Sequence, residues 1–177
     1  MSRSRYTITE PDMPHFVTCT VMEWLPVFSH PDAVAILLAS WGFLREQKGL
    51  RLYGYVVMEN HTHFIAQSEH LDKCLASFKS FTGRKIISWL EANGRESLLS
   101  RLGFCKKAFK NDRDHQFWQE GVHAELVLNE SMMREKLDYI HVNPVRRGYV
   151  DKPEQWRYSS ARSYTGEAGL IEMDRWW

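Results

Sequence analysis

Between His15 and Glu23 the chain is rich in β-branched and aromatic side chains, Phe16, Val17, Thr18, Thr20 and Val21. Such a run suits a pleated surface better than a helix and predicts a first strand. Ser29-His30-Pro31-Asp32 then offers capping oxygens and a proline, after which Val34, Leu37, Leu38, Trp41 and Leu44 recur at helical spacing as far as Gly49. A first helix with one buried face is expected there. Leu52 to Met58 and His61 to Gln67 are two short β-rich runs divided by Glu59-Asn60, the spacing of a tight hairpin. Leu71, Leu75, Phe78, Ile86, Ile87 and Leu90 mark a second helix ending near Asn93-Gly94. Arg95 to Gln116 reads as loop with some helix, Phe117-Trp118 and Val122 to Leu128 as a further strand region, and Ser131 to Val142 as a third helix stopped by Pro144.

Strand, helix, hairpin, helix, strand is the order of a ferredoxin-like or RRM-like layer, one antiparallel sheet with helices packed on a face. The fold class expected is therefore α+β. No internal repeat, low-complexity tract or Pro/Gly/Ser linker divides the chain, so residues 1–177 are read as one domain. The tail beyond Gly166 ends in Arg175-Trp176-Trp177, and two tryptophans are costly to leave in water, so it is expected to pack back on the body.

Composition narrows the picture only slightly. With 44% hydrophobic and 25% charged positions over 177 residues, the chain is a globular protein rather than a disordered one. The positively charged start is not followed by an apolar run long enough for a signal peptide or membrane span, which points to the cytoplasm. Cys19, Cys74 and Cys105 are odd in number and far apart, without a Cys-x-x-Cys pair, and read as buried thiols. A net charge of +1 is silent about nucleic acid. Its distribution says more: Arg101, Lys106, Lys107, Lys110 and Arg113 oppose only Asp112, and Arg146, Arg147, Lys152, Arg157 and Arg162 crowd the last third. Either cluster alone is equally an ordinary solvated face.

Candidate chemistry begins at His61-Thr62-His63. On a strand, side chains at i and i+2 point to one face, so both imidazoles can reach one ion. Imidazole nitrogen binds divalent metals well, and a sheet holds the pair rigidly; the plainer alternative is two histidines on a solvent-facing strand. On the third helix Met133, Leu137 and Ile140 form the apolar stripe, while Tyr139 and Asn143, four apart, share a face turned away from it. Asn143 precedes proline, which places its amide at a frayed helix end as a third ligand. His141 faces nearly the opposite way and reads as structural. Two imidazoles, an amide oxygen and a phenol make a coherent site for attack on a phosphodiester: a metal on His61, His63 and Asn143 orients a phosphate toward the Tyr139 oxygen. Hard phosphate oxygen and mixed N/O ligands favour Mg²⁺ or Mn²⁺.

Three stretches carry a family resemblance: Met58-Glu59-Asn60-His61-Thr62-His63, Tyr139-Ile140-His141-Val142-Asn143-Pro144-Val145 and Trp156-Arg157-Tyr158-Ser159-Ser160, with Phe117-Trp118-Gln119-Glu120-Gly121 beside them. Together they resemble the REP-associated tyrosine transposases, single-tyrosine members of the HUH endonucleases. The family pattern has proline at position 59 and a hydrophobic residue at 62, so Glu59 and Thr62 depart from it. Thr62, pointing to the opposite sheet face, leaves the ligand geometry intact. The resemblance implies cutting and rejoining of single-stranded DNA at REP hairpins through a 5′-phosphotyrosine and a free 3′-hydroxyl, by a monomer or a homodimer. Relatives that dimerise often let one subunit's tyrosine serve the other's metal, so the arrangement here stays open at the level of sequence. For DNA contact, Lys79, Arg84 and Lys85 on the second helix, Lys106, Lys107 and Lys110, and Arg146 and Arg147 beside the nucleophile are candidates, with Trp118 as a base-stacking platform.

Three other readings fit parts of the pattern. An RRM-like binding module without catalysis suits the layer order but leaves the Tyr139/Asn143 pair unexplained. A hydrolytic phosphoesterase with paired His-x-Thr/Ser motifs is poorly served, because only one His-x-His exists. A domesticated descendant that binds its repeat without moving DNA conflicts with an intact candidate set.

Overall fold

The computed structural model describes Ile8, Glu10, 12–104 and 115–176. Its strands are β1 (His15–Thr20), β2 (Arg51–Val57), β3 (His61–Gln67) and β4 (His123–Leu126); its helices are α1 (Pro31–Lys48), α2 (Leu71–Ala92), α3 (Glu96–Phe104), α4 (Glu130–Arg146) and the single turn α5 (Ala161–Tyr164). The strands form one antiparallel sheet in the order β2-β3-β1-β4. This is the ferredoxin-like α+β arrangement expected from the element order. α1 starts on Pro31 and stops at Gly49, whose left-handed φ of 63° closes the helix by taking its N–H to the Leu44 carbonyl.

The sheet is covered on both faces, whereas the pattern suggested helices on one. β2 explains why: from Leu52 to Val57 it is buried at every position, the signature of a strand without a wet side. On one face Val17, Tyr55, Val57 and Phe64 pack under α1 and α2. Trp41 of α1 is the centre of that layer, its ring 5.3 Å from Tyr55, 5.2 Å from Phe64 and stacked on Phe78 at 5.3 Å. On the other face Phe16, Tyr53, Val56 and Ile65 meet Met133, Leu137 and Ile140 of α4. The stripe read from the sequence is thus the surface that seats α4 on the sheet. Gly54 lies where the β2–β3 register shifts, and a β-carbon there would lie 2.4 Å from Leu137 Cδ2, so glycine permits the close approach of α4.

Other boundaries differ from expectation for physical reasons. α4 does not end before Pro144; it runs on to Arg146 with the proline inside it and buried. Proline this near a helix end forfeits a single N–H, and Tyr149 and Arg147 donate to the Pro144 and Asn143 carbonyls to close the last turn. Consequently Asn143 lies within the helix and not at a frayed end. β1 stops at Thr20 because the next two residues turn away, Val21 N–H donating to the Asn60 carbonyl and Met22 N–H to the Phe117 carbonyl. Trp118 forms only an isolated bridge with Val21. The tail packs back as expected: Asp174 N–H donates to the Leu52 carbonyl at the β2 edge, the Asp174 carboxylate accepts from Leu52 N–H and pairs with Arg45, and Met173 is buried. Cys19 and Cys74 are buried free thiols, and burial pushes the Cys19 thiol up to about 11; Cys105 lies outside the described residues.

Candidate active site

β3 presents His61 and His63 on the sheet face that also carries Phe16 and Ile65, with ring centroids 4.8 Å apart. Each imidazole is oriented by its Nδ1. Asn60 Oδ1 accepts from His61 Nδ1–H at 2.6 Å, and Thr18 Oγ1, directly across the ladder from His63, lies 2.8 Å from its Nδ1. Neither Nε2 has a protein partner among the described residues, and a ring whose Nδ1 carries the proton presents its Nε2 lone pair to an ion, the arrangement usual for ligating histidines. Burial lowers the pKa of His61 to about 4 and of His63 to about 3. For His61 the nearby Glu59 carboxylate opposes that shift and Arg147 adds to it; for His63 its neighbours His61 and His123 add to it. Both rings are neutral at pH 7, the form that binds metal.

α4 brings Tyr139 to this pair. Its ring lies 5.3 Å from His63 at 73° and 5.7 Å from Phe16, and the residue is 39% exposed, so the phenol is packed at one side and open at the other. The Arg146 guanidinium stands 5.9 Å from the same ring. The tyrosine and both histidines belong to one chain. Asn143, one helical turn on from Tyr139, is buried to 9% exposure, and its amide makes no hydrogen bond among the described residues. No cluster of three or more His, Cys, Asp or Glu that could hold an ion exists among the described residues. An amide oxygen is a donor outside those residue types, and that of Asn143 has no competing hydrogen bond among the described residues. His141 is the structural residue its direction implied: it is buried, its Nε2 2.9 Å from Ser160 Oγ, and burial lowers its pKa to about 4. Ser160 belongs to the Trp-x-Tyr-Ser-Ser stretch and also binds Tyr55 N–H, so that motif's work here is to tie α4 to β2.

The two departures from the family pattern are both accommodated. Thr62 is fully buried on the opposite face, its hydroxyl donating to the Val56 carbonyl at 2.8 Å. Glu59 turns a carboxylate toward His61 and Tyr149, with Oε2 lacking a partner among the described residues.

The DNA-contact candidates separate. Arg146 and Arg147 border the tyrosine and the histidines. Arg84 and Lys85 are exposed on α2, with Lys85 over the Phe81 ring. Lys79 donates to the Gln119 and Gly121 carbonyls, clamping that segment to α2. Arg84 and Lys79 line a cavity of about 800 Å³ between α2 and 115–121, away from the histidine pair. Lys106, Lys107 and Lys110 lie outside the described residues. Trp118 corrects its assignment: it is 5% exposed, its indole N–H donates to Thr82 Oγ1 at 3.0 Å, and its ring packs among Phe28, Phe78 and Phe117. A ring buried in that way is a core aromatic and not a stacking platform. Sequence reasoning passed over Thr18 and Trp24. Thr18 is defined by the β1–β3 register, a non-local pairing. Trp24 carried a weak signal, a tryptophan in a short segment between the first strand and helix; it is exposed, with its ring 5.8 Å from His61.

A paired-histidine strand and a tyrosine-bearing helix meeting on one face of a ferredoxin-like sheet define an α+β protein with a two-element site. No protein-family model matches the chain. It is 36% identical over 104 residues to a Haemophilus influenzae protein named as a REP-associated tyrosine transposase, a match covering 59% of this chain and 54% of that one. The chain thus spans about half the length of the curated relative it matches. A solved REP-associated tyrosine transposase bound to a REP hairpin superposes with TM-score 0.63 at 17% identity, covering 99% of this chain and 93% of the other. A Deinococcus radiodurans R1 protein described as a transposase gives TM-score 0.45 at 13% identity over 84% of this chain and 98% of that one. The resemblance to REP-associated tyrosine transposases drawn from the motifs is borne out, in sequence by the first protein and in fold by the second. Among the described residues no helix is long and apolar enough to cross a membrane.

Proposed function

We propose that this protein is a metal-dependent single-tyrosine DNA strand transferase acting on REP-type hairpins, with Tyr139 as nucleophile. The observation that carries the reading is the contact of Tyr139 with His63, a histidine whose Nδ1 is engaged and whose Nε2 is open. His61, His63 and the Asn143 amide are the residues that would hold a divalent cation, Mg²⁺ or Mn²⁺. Bound there, such an ion offsets charge on a phosphodiester oxygen.

The chain's own groups account for the remaining work. Arg146 and Arg147 draw the phosphate to the open side of Tyr139 by charge. Packing against Phe16 and His63 holds the phenol in one orientation, which reduces the entropy cost of attack. The Tyr139 oxygen forms a bond to phosphorus as the bond to the 3′-oxygen breaks. The phenol loses its proton, and the departing oxygen takes one up to become the free 3′-hydroxyl. The phosphotyrosine retains the energy of the phosphodiester, so the reverse attack reseals a strand without another energy source. The contact of Tyr139 with His63 of its own chain supports action in cis by a monomer. The setting is the cytoplasm, at the nucleoid.

The test is a denaturing gel of the protein with a labelled single-stranded REP hairpin from its host genome, with Mn²⁺ or EDTA. A protein-DNA adduct that needs Mn²⁺ and disappears in Tyr139→Phe and His63→Ala is expected. Tight binding with no adduct under Mn²⁺ or Mg²⁺ across several flanking sequences supports instead a binding module of the RRM type or a domesticated repeat-binding protein.

A further inference from the structure

The segment after β1 contains an arrangement that folding alone does not explain. Val21, Leu25, Val27 and Phe28 are all buried, yet Trp24 among them is 55% exposed. Glu23 and Trp24 each have φ of 54°, the left-handed region that side chains with a β-carbon rarely adopt. The surroundings enforce this conformation: Val21 N–H donates to the Asn60 carbonyl, Met22 N–H to Phe117, and Phe28 N–H to Glu59. The segment is thus pinned to the very turn that precedes the paired histidines. Two consecutive left-handed residues reverse the chain so that the indole stands out of the core instead of turning into it. Its ring lies 5.8 Å from His61 at 72°. The rings form a row, Trp24, His61, His63, Tyr139, with neighbouring centroids 5.8, 4.8 and 5.3 Å apart.

We infer that Trp24 is the stacking platform for an unpaired base on the 5′ side of the cut, the nucleotide whose 3′-hydroxyl is released. This rests on the strand-transfer reading above. In-line displacement requires the leaving oxygen to depart opposite the attacking one. With Tyr139 at one end of the row and the phosphate over the histidines, the departing strand lies toward the other end, where Trp24 stands. An exposed indole stacks any base, and does so without a hydrogen-bonding code. The strand that leaves must also stay close for resealing, because the free 3′-hydroxyl is the nucleophile of the reverse reaction. A base held on Trp24 meets that requirement.

The experiment uses the full-length protein and a hairpin oligonucleotide whose cut position has been mapped from the wild-type adduct. Binding is measured in EDTA, with the intact oligonucleotide and with one that is abasic at the nucleotide 5′ of the cut. Removing that base is expected to weaken wild-type binding about ten-fold, a typical stacking contribution. Trp24→Gly should bind the intact oligonucleotide about ten-fold more weakly and be indifferent to the abasic site, and Trp24→Phe should recover part of the loss. Glycine accepts a φ of 54°, so Trp24→Gly is expected to melt no lower than wild type, which separates lost stacking from lost folding. 2-Aminopurine at the 5′ position should be quenched on binding to wild type and not to Trp24→Gly. An adduct that forms normally while the abasic site costs wild type and Trp24→Gly equally would overturn this inference and leave the strand-transfer reading standing. Failure of wild type to form an adduct with any hairpin would overturn both.

Discussion

Substituting Gly54 tests whether the close approach of α4 to β2 is what places Tyr139. A β-carbon at this position would lie 2.4 Å from Leu137 Cδ2 and 3.4 Å from Ser160 Oγ. Leu137 is 4% exposed and sits two residues before Tyr139, so it cannot yield without moving its helix or losing its rotamer. Gly54→Ala is therefore an overpacking change, with an expected cost of about 1–3 kcal/mol. Leu137→Ala alone removes buried methyl groups and should cost about 2–5 kcal/mol. If the two side chains contend for the same space, the double variant Gly54→Ala/Leu137→Ala should cost no more than Leu137→Ala alone, since the new methyl fills part of the cavity. Urea unfolding of the four proteins gives the three differences, and the same proteins are assayed for the rate of adduct formation. A shift of about 1 Å at Tyr139 is enough for about a hundred-fold slower adduct formation in Gly54→Ala. Strictly additive stability costs, or a Gly54→Ala protein with wild-type rate, would refute the claim that glycine is needed for α4 to seat.

Three further expectations follow from the site. Thr18→Val removes the oxygen that orients His63 through Nδ1, so Mn²⁺ affinity, read by calorimetry, should fall about 10–100-fold with little change in melting temperature. His61, His63 and His141 have folded-state pKa values of about 4, 3 and 4, below the ordinary 6.5, so the unfolded chain binds protons that the folded chain refuses. Stability is then complete above pH 6.5 and is lost as pH falls toward 4, about 3 kcal/mol of it from His141; urea midpoints at pH 8, 6 and 4.5 check the sign, and in His141→Asn the slope should be shallower. Lys79→Met should loosen the 119–121 segment that its ammonium clamps, seen as faster amide exchange there while Mn²⁺ binding is unchanged.

What was legible in the sequence was local. The hairpin spacing put His61 and His63 on one strand face, and helical spacing put Tyr139 off the Met133-Leu137-Ile140 stripe; both hold in the structure. The extent of α4 was not legible, because a proline rule based on local cost misses the packing of Pro144 and Asn143 against the body. Nor was the second covered face of the sheet, which depends on where α4 returns in space. The burial of Trp118 and the exposure of Trp24 were not legible for the same reason. Composition ranks two tryptophans alike, and only the tertiary surroundings bury the one against Thr82 and Phe78 and hold the other beside His61. Thr18 became a site residue through the β1–β3 register alone.

The most direct measurement is peptide mapping by mass spectrometry of the protein after reaction with a REP hairpin and Mn²⁺, followed by nuclease trimming of the attached DNA. A nucleotide phosphate on the peptide containing Tyr139, absent when Mn²⁺ is replaced by EDTA, is the expected result. A phosphate carried by another of the tyrosines, or product ends that are cut with no tyrosine modified, would contradict the account.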